Sequence, residues 1–185
     1  MSAPIEQLVR EHDLILRVLR ALERLTDRLE GGENLSPDLF LRAADFIQNF
    51  ADRYHHAKEE DILFKWMGER GVPVQGGPIG VMLYEHTLGR QYRQGLETGA
   101  RKLQQGNPEG VAEIAENARG FIQLLSQHIL KENNVLYPMA ERVIPQSDMA
   151  RMAEAFNEVR KEVRGEQVEE TYRRLADELE AAANS

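Results

Sequence analysis

His55-His56-Ala57-Lys58-Glu59-Glu60-Asp61-Ile62-Leu63-Phe64 and His128-Ile129-Leu130-Lys131-Glu132-Asn133-Asn134-Val135-Leu136-Tyr137 share one pattern, His-x-x-Lys-Glu-x-x-[Ile/Val]-Leu-[Phe/Tyr]. A histidine and a glutamate four residues apart lie on one face of a helix, one turn from each other. Both pairs fall in apolar seams. Ala44, Ile47 and Ala51 lead into His55 and Glu59, with Ile62 and Trp66 following; Ile114, Ala118, Phe121 and Leu125 lead into His128 and Glu132, with Val135 and Met139 following. Ionisable side chains thus occupy positions where a helix buries its core. An unpaired buried carboxylate costs several kcal/mol, so Glu59 and Glu132 call for a compensating positive charge or a proton.

Around these segments the chain is punctuated for helices, with no run of alternating β-branched residues to suggest a strand. A first helix is predicted from Pro4 to Glu30, stopped by Gly31-Gly32. Ser36 and Pro37 open a second, which runs to about Arg70 before Gly71 and Pro73. The third follows Gly76-Gly77-Pro78 and ends before Gly106; Asn107-Pro108-Glu109 opens the fourth, which reaches about Met139. Four long helices with short loops favour antiparallel neighbours, an up-down-up-down four-helix bundle in an all-α protein. Two further helices are expected, Ser147 to Arg164 and, after a break at Gly165, Gln167 to Ala182, with a frayed Ala-Ala-Ala-Asn-Ser end. The expected organisation is a bundle over residues 1–140 and a helical extension over 141–185 packed on the same domain, since no Ser/Gly-rich linker separates them.

Composition narrows the chemistry. With 185 residues and no cysteine, there is no disulfide framework, thiolate cluster or cysteine nucleophile, and any metal must be held by His, Asp, Glu or backbone. Lys and Arg number 23 against 31 Asp and Glu, a net charge of −8 that argues against nucleic acid or an anionic membrane as partner. No apolar run approaches the roughly 18–20 residues of a membrane-spanning helix, and Met1 to Arg10 lacks the pattern of a signal peptide, so the expected location is the cytoplasm.

The other two helices of the bundle also place a histidine in the seam: His12 within Ile5, Leu8, Ile15 and Leu19, and His86 within Ile79, Met82 and Gly89. With the two His/Glu pairs this makes a site of four histidines and two glutamates: His12, His55, Glu59, His86, His128 and Glu132. Imidazole and carboxylate without thiolate suit iron, with manganese or zinc as second choices; two glutamates able to bridge, and six ligands where structural zinc takes four, favour two ions. His56 and Glu60 form an adjacent pair read as outer partners or surface residues, and Glu11, Asp13 and Glu85 read as solvated neighbours. The Glu-x-x-His motif of ferritin-like proteins is absent, because Val9, Asp52, Leu83 and Leu125 stand three residues before the four seam histidines.

These residues resemble the hemerythrin-like, or HHE cation-binding, domains over residues 4 to 140. The resemblance implies a four-helix bundle holding a non-heme di-iron centre, with Glu59 and Glu132 bridging the irons and the histidines as terminal ligands. Oxygen-carrying members have a second histidine one turn after the third-helix ligand, where this chain has Arg90, and an aspartate one residue beyond the position of Glu132. The site is therefore expected to be less saturated by histidine and open to dioxygen, peroxide or nitric oxide, with a role in stress response or iron homeostasis. Similar bacterial di-iron proteins of iron-cluster repair carry a cysteine-containing domain without counterpart in these residues, so repair is not carried over. The alternative is a non-catalytic oxygen, nitric oxide or iron sensor that acts through a protein partner or homo-oligomer at the C-terminal helices. Metal-free histidines filling core positions form a third possibility. Tyr54, Tyr84, Trp66 and Arg90 are candidates for orienting the ligands.

Overall fold

A computed structural model describes residues 1–162 and 164–185. Among the described residues the chain is helical with no strand. The first rod is α1 (Ala3–Glu30). The second joins α2 (Pro37–Phe46), π-helical stretches over Ile47–His56 and Glu59–Leu63, and α3 (Phe64–Glu69). The third is α4 (Pro78–Gln104). The fourth joins α5 (Glu109–Lys131), a π-helical stretch over Glu132–Leu136, and α6 (Tyr137–Val143). Two more helices follow, α7 (Gln146–Glu162) and α8 (Gly165–Asn184).

Local chemistry sets these boundaries. Ser36 Oγ accepts the Asp38 N–H at 3.3 Å, and Pro37 takes the first helical position, where no amide hydrogen is needed. Gly106, at φ 81°, provides the left-handed residue that ends α4. The fourth rod passes its predicted end near Met139 and continues to Val143, because Pro138 stands at the start of α6, just after π-winding gives way to α-winding. The chain end is not frayed as expected. α8 stays helical to Asn184, with Ala183 buried and Arg28 Nη1 donating to the Ala182 carbonyl at 2.6 Å. The break between α7 and α8 falls at Arg164, left-handed at φ 51°, while Gly165 begins α8 where any Cβ would collide with Arg160.

Two apolar clusters form the core. Ile5 and Leu8 of α1 belong to one cluster and Ile15 to Leu29 to the other. On the second rod the order reverses, with Phe40 to Tyr54 preceding Ile62 to Met67. α4 repeats the order of α1, with Ile79 and Met82 before Leu96 and Ala100, and the fourth rod reverses it again. On the first three rods the seam histidine lies between the residues of one cluster and those of the other, and on the fourth His128 stands beside Ile129, where the one cluster gives way to the other. The two C-terminal helices cover both clusters. Met149, Met152 and Phe156 of α7 join the first, and Tyr172, Ala176, Leu179 and Ala183 of α8 join the second. Polar ties add to this packing, as Arg17 meets Asp177 and Glu180 at 2.6 Å each and Tyr172 Oη donates to Asp45 at 3.0 Å. No helix among the described residues is long and apolar enough to cross a membrane.

Leu179 is fully buried against this core. Leu179→Ala is expected to lower the unfolding free energy by about 2–5 kcal/mol, read as a shift of one cooperative denaturation transition. An unchanged midpoint would contradict the packing of α8 on the helices that carry the histidines.

Candidate metal centre

Winding brings the ligand ladder into register. From Ile47 through Ala51 and His55 to Glu59 the buried residues recur every four positions. At about 100° per residue an α-helix would rotate Glu59 roughly 120° away from Ile47. The wider π-winding of Ile47–His56 and Glu59–Leu63 takes more residues per turn and keeps them on one face. The same device shifts the phase after each glutamate. Leu63 and Met67 take the deepest positions beyond Glu59, leaving Trp66 half-buried, and Leu136 and Ala140 replace the expected Val135 and Met139. Val135 is 51% exposed.

All five histidines are buried, and each points Nδ1 at an acceptor. His12 Nδ1 meets Asn133 Oδ1 at 2.9 Å, His55 meets Glu11 at 2.8 Å, His86 meets Glu60 at 2.7 Å, His128 meets Glu85 at 2.8 Å and His56 meets Asp52 at 3.4 Å. An Nδ1–H fixed in this way orients the ring and turns Nε2 toward the centre, where His86 Nε2 and His128 Nε2 meet at 3.0 Å. The acceptors are held in turn by cations. Lys58, fully buried and 3.5 Å above the Tyr54 ring, reaches Glu11 at 2.5 Å; Lys131 pairs with Glu85. The lysine of the repeated His-x-x-Lys-Glu pattern thus performs one task in both copies, anchoring the carboxylate that orients its own histidine. Arg90 does so for two rings at once, with Nε 2.8 Å from Asp52 and Nη2 2.7 Å from Glu60.

The Nε2 atoms converge on the two glutamates. Glu132 lies 3.2 Å from both His12 Nε2 and His128 Nε2, and Glu59 Oε2 lies 3.7 Å from His55 Nε2 and 3.6 Å from His86 Nε2. Potential ligand atoms collect in two buried groups, each with all atoms within 4.8 Å of one another: His12, His55, Glu59 and Glu132, and His56, Glu59, His86 and His128. Glu59 belongs to both. A third group, Asp52, His56 and Glu60, already has a cation in the Arg90 guanidinium. Tyr137 Oη closes the centre, donating to Glu59 Oε1 at 2.6 Å and standing 3.3 Å from His12 Nε2.

Electrostatically the centre is short of positive charge. Burial and the adjacent Glu132 push Glu59 well above the usual carboxylate range. Burial also opposes ionisation of Glu132, but His128 and His12 outweigh it and hold its carboxyl well below that range. Burial lowers His55, His56 and His86 below the ordinary imidazole range, which keeps them neutral bases. It opposes protonation of His128 too, yet Glu132 and Glu85 raise that ring to about 9. His55 Nε2, Glu59 Oε2 and both oxygens of Glu132 are buried without a hydrogen-bond partner. Orphaned acceptors with no donor among them suit divalent cations, so the residues fit a metal pair.

The six residues predicted from sequence all lie in these two groups. The structure corrects three neighbouring readings. His56 is not a surface residue but lies buried, stacked on His86 with ring centroids 3.7 Å apart, where it joins the second group. Glu11 and Glu85 are not solvated but hold His55 and His128, whereas Asp13 is exposed as expected. Among the proposed orienting residues Arg90 has that role through Asp52 and Glu60, Tyr54 supports Lys58, and Tyr84 is 68% exposed. Tyr137 was missed although it ends the second copy of the repeated pattern; its distance of five residues from Glu132 reaches the site only because the intervening turn is π-wound.

The fold and site define an all-helical protein with a buried histidine–glutamate centre for cations. The chain belongs to the family described as the Hemerythrin HHE cation binding domain, whose profile matches residues 3–140. It is also similar to uncharacterized proteins of Mycobacterium tuberculosis and Mycobacterium bovis, each 22% identical over 158 residues that make up 85% of this chain and 61% of theirs. The chain thus spans under two thirds of the length of these curated relatives. No solved structure matches it.

Lys58→Met keeps the bulk of the buried side chain but frees Glu11. It is expected to weaken metal binding about 10–100-fold in a competition titration with a chelator. His56→Ala is expected to retain about one metal ion per chain, whereas Glu132→Ala, which touches both groups, loses both ions. Full metal content in the Glu132 variant would contradict the assignment.

Proposed function

We propose that this protein is a non-heme di-iron protein that binds or reacts with dioxygen, peroxide or nitric oxide. The observation that carries this reading is the set of orphaned atoms on His55, Glu59 and Glu132 inside a shell of otherwise satisfied polar groups. His12, His55, His86 and His128 act as terminal ligands, with His56 as a fifth imidazole, and Glu59 and Glu132 as bridges, each lying between a histidine of one group and a histidine of the other. Imidazole and carboxylate ligation supports iron, with manganese or zinc as second occupants. An iron pair bound there supplies one-electron redox chemistry and open positions for small ligands. The chain contributes charge balance, fixed ring orientation and exclusion of water, and the Tyr137 hydroxyl holds a proton 2.6 Å from Glu59 Oε1.

We read the first four rods as an up-down-up-down bundle, supported by the alternating order in which they meet the two apolar clusters. We read residues 141–185 as an extension packed on the same domain, and the family resemblance supports a cytoplasmic role in stress response or iron homeostasis. A second reading, a sensor that signals to a partner or a second copy through the C-terminal helices, is favoured by one contact. Tyr54, the neighbour of His55, donates to Glu169 of α8, which Arg160 of α7 also grips at 3.0 and 3.1 Å.

Iron-loaded protein, reduced without air and mixed with dioxygen, peroxide or nitric oxide, is expected to develop visible charge-transfer bands. Peroxide consumption over many turnovers, faster than with free iron, identifies an enzyme, and stoichiometric binding without turnover identifies the sensor. A fully loaded protein whose spectrum responds to none of the three would overturn both readings.

A further inference from the structure

Resting on the di-metal reading, we propose that a cavity one helical turn beyond His56, His86 and His128 is the port through which a small apolar gas, dioxygen or nitric oxide, reaches the second group of ligands. Three rods contribute the same turn to it. Asp52 lies one turn before His56, Gly89 and Arg90 one turn after His86, and Leu125 one turn before His128, and all four line the cavity together with Phe121. Its inner wall is made by the buried His56 and His86 rings and its rim by Arg90, 40% exposed. Two candidate ligands, His56 and His86, line it directly.

Size and lining select the occupant. The volume of about 20 Å³ admits one water-sized or diatomic molecule and no organic substrate. Ile47, Gly89, Phe121 and Leu125 make an apolar wall that suits an apolar gas, while the polar Arg93 of the lining is already turned to Gln48 and Glu97. The two carboxylates of the lining, Asp52 and Glu85, are already engaged, Asp52 by Arg90 and Glu85 by His128 and Lys131.

Gly89 is the most informative wall residue. A glycine within a helix costs about 1 kcal/mol relative to alanine, so its presence needs a reason. At Gly80, Gly95 and Gly99 of the same helix packing supplies one, because a Cβ would collide with Val74, Asn117 or Ile114. At Gly89 a Cβ would stand 3.5 Å from Phe121 and 3.9 Å from Leu124, ordinary contacts. Neither packing nor a left-handed φ requires this glycine, and what it preserves is the open space beside His86.

The test uses the full chain loaded with ferrous iron, with nitric oxide association followed by stopped-flow absorbance and metal content measured on the same samples. Gly89→Ala is expected to keep full metal and a thermal midpoint no lower than the parent, while nitric oxide associates about tenfold or more slowly, the effect of one carbon in a tight apolar pocket. Oxygen consumption by the reduced protein is expected to slow in parallel. Parent rates in fully loaded Gly89→Ala protein would overturn the port while leaving the di-metal reading intact. A parent protein that loads no iron would overturn that reading, and the port with it.

Discussion

Two carboxylates at the middle of an apolar core govern this structure. Glu59 and Glu132 are fully buried between the two hydrophobic clusters, and three of their four oxygens lack any hydrogen-bond partner. Leaving a carboxylate in such surroundings costs several kcal/mol, and among the protein's own groups Glu59 is raised while Glu132 is held by two histidines. Everything nearby is arranged around that deficit. The imidazoles turn Nε2 inward, their Nδ1 atoms are tied to acceptors, and most of those acceptors are tied to Lys58, Lys131 or Arg90.

This layering explains why the site can be precise without disulfides or thiolates. The ligands sit on long helices whose ends are buried in one cluster or the other, so ring positions are fixed by packing on both sides. The cations of the outer layer neutralise the orienting carboxylates and keep Asp52, Glu11, Glu60 and Glu85 from competing for the centre. Positive charge is therefore placed around the rim, while the interior keeps neutral imidazoles and two carboxylates, donors suited to divalent metal.

Much of this was legible in the sequence because it obeys helical spacing. Seam periodicity located His12, His55, His86 and His128, and the repeated His-x-x-Lys-Glu pattern singled out the two glutamates. What spacing could not supply was winding. An ideal helix rotates Leu136 and Tyr137 out of the seam and favours Val135, yet the π-turn after Glu132 reverses that choice, and the wider turn before Glu59 lets His55 and His56 both face inward. Contacts between rods were equally hidden. Nothing local distinguishes Glu11, which holds His55 from another helix, from Asp13, which faces solvent; only the assembled bundle brings Lys58 against one and not the other. The lysines of the repeat were visible, but their task depends on partners 46 or 47 residues away.

The central claim is that two metal ions, not protons or hydrogen bonds, satisfy Glu59 and Glu132. Elemental analysis of freshly purified full-length chain, with metal identity and protein concentration determined on the same sample, tests it most directly. About two ions per chain, chiefly iron, is the result the proposed di-iron reading predicts. Metal-free protein that stays folded and takes up no ferrous iron on anaerobic reconstitution would contradict the account and return the five histidines to the role of hydrogen-bonded core residues.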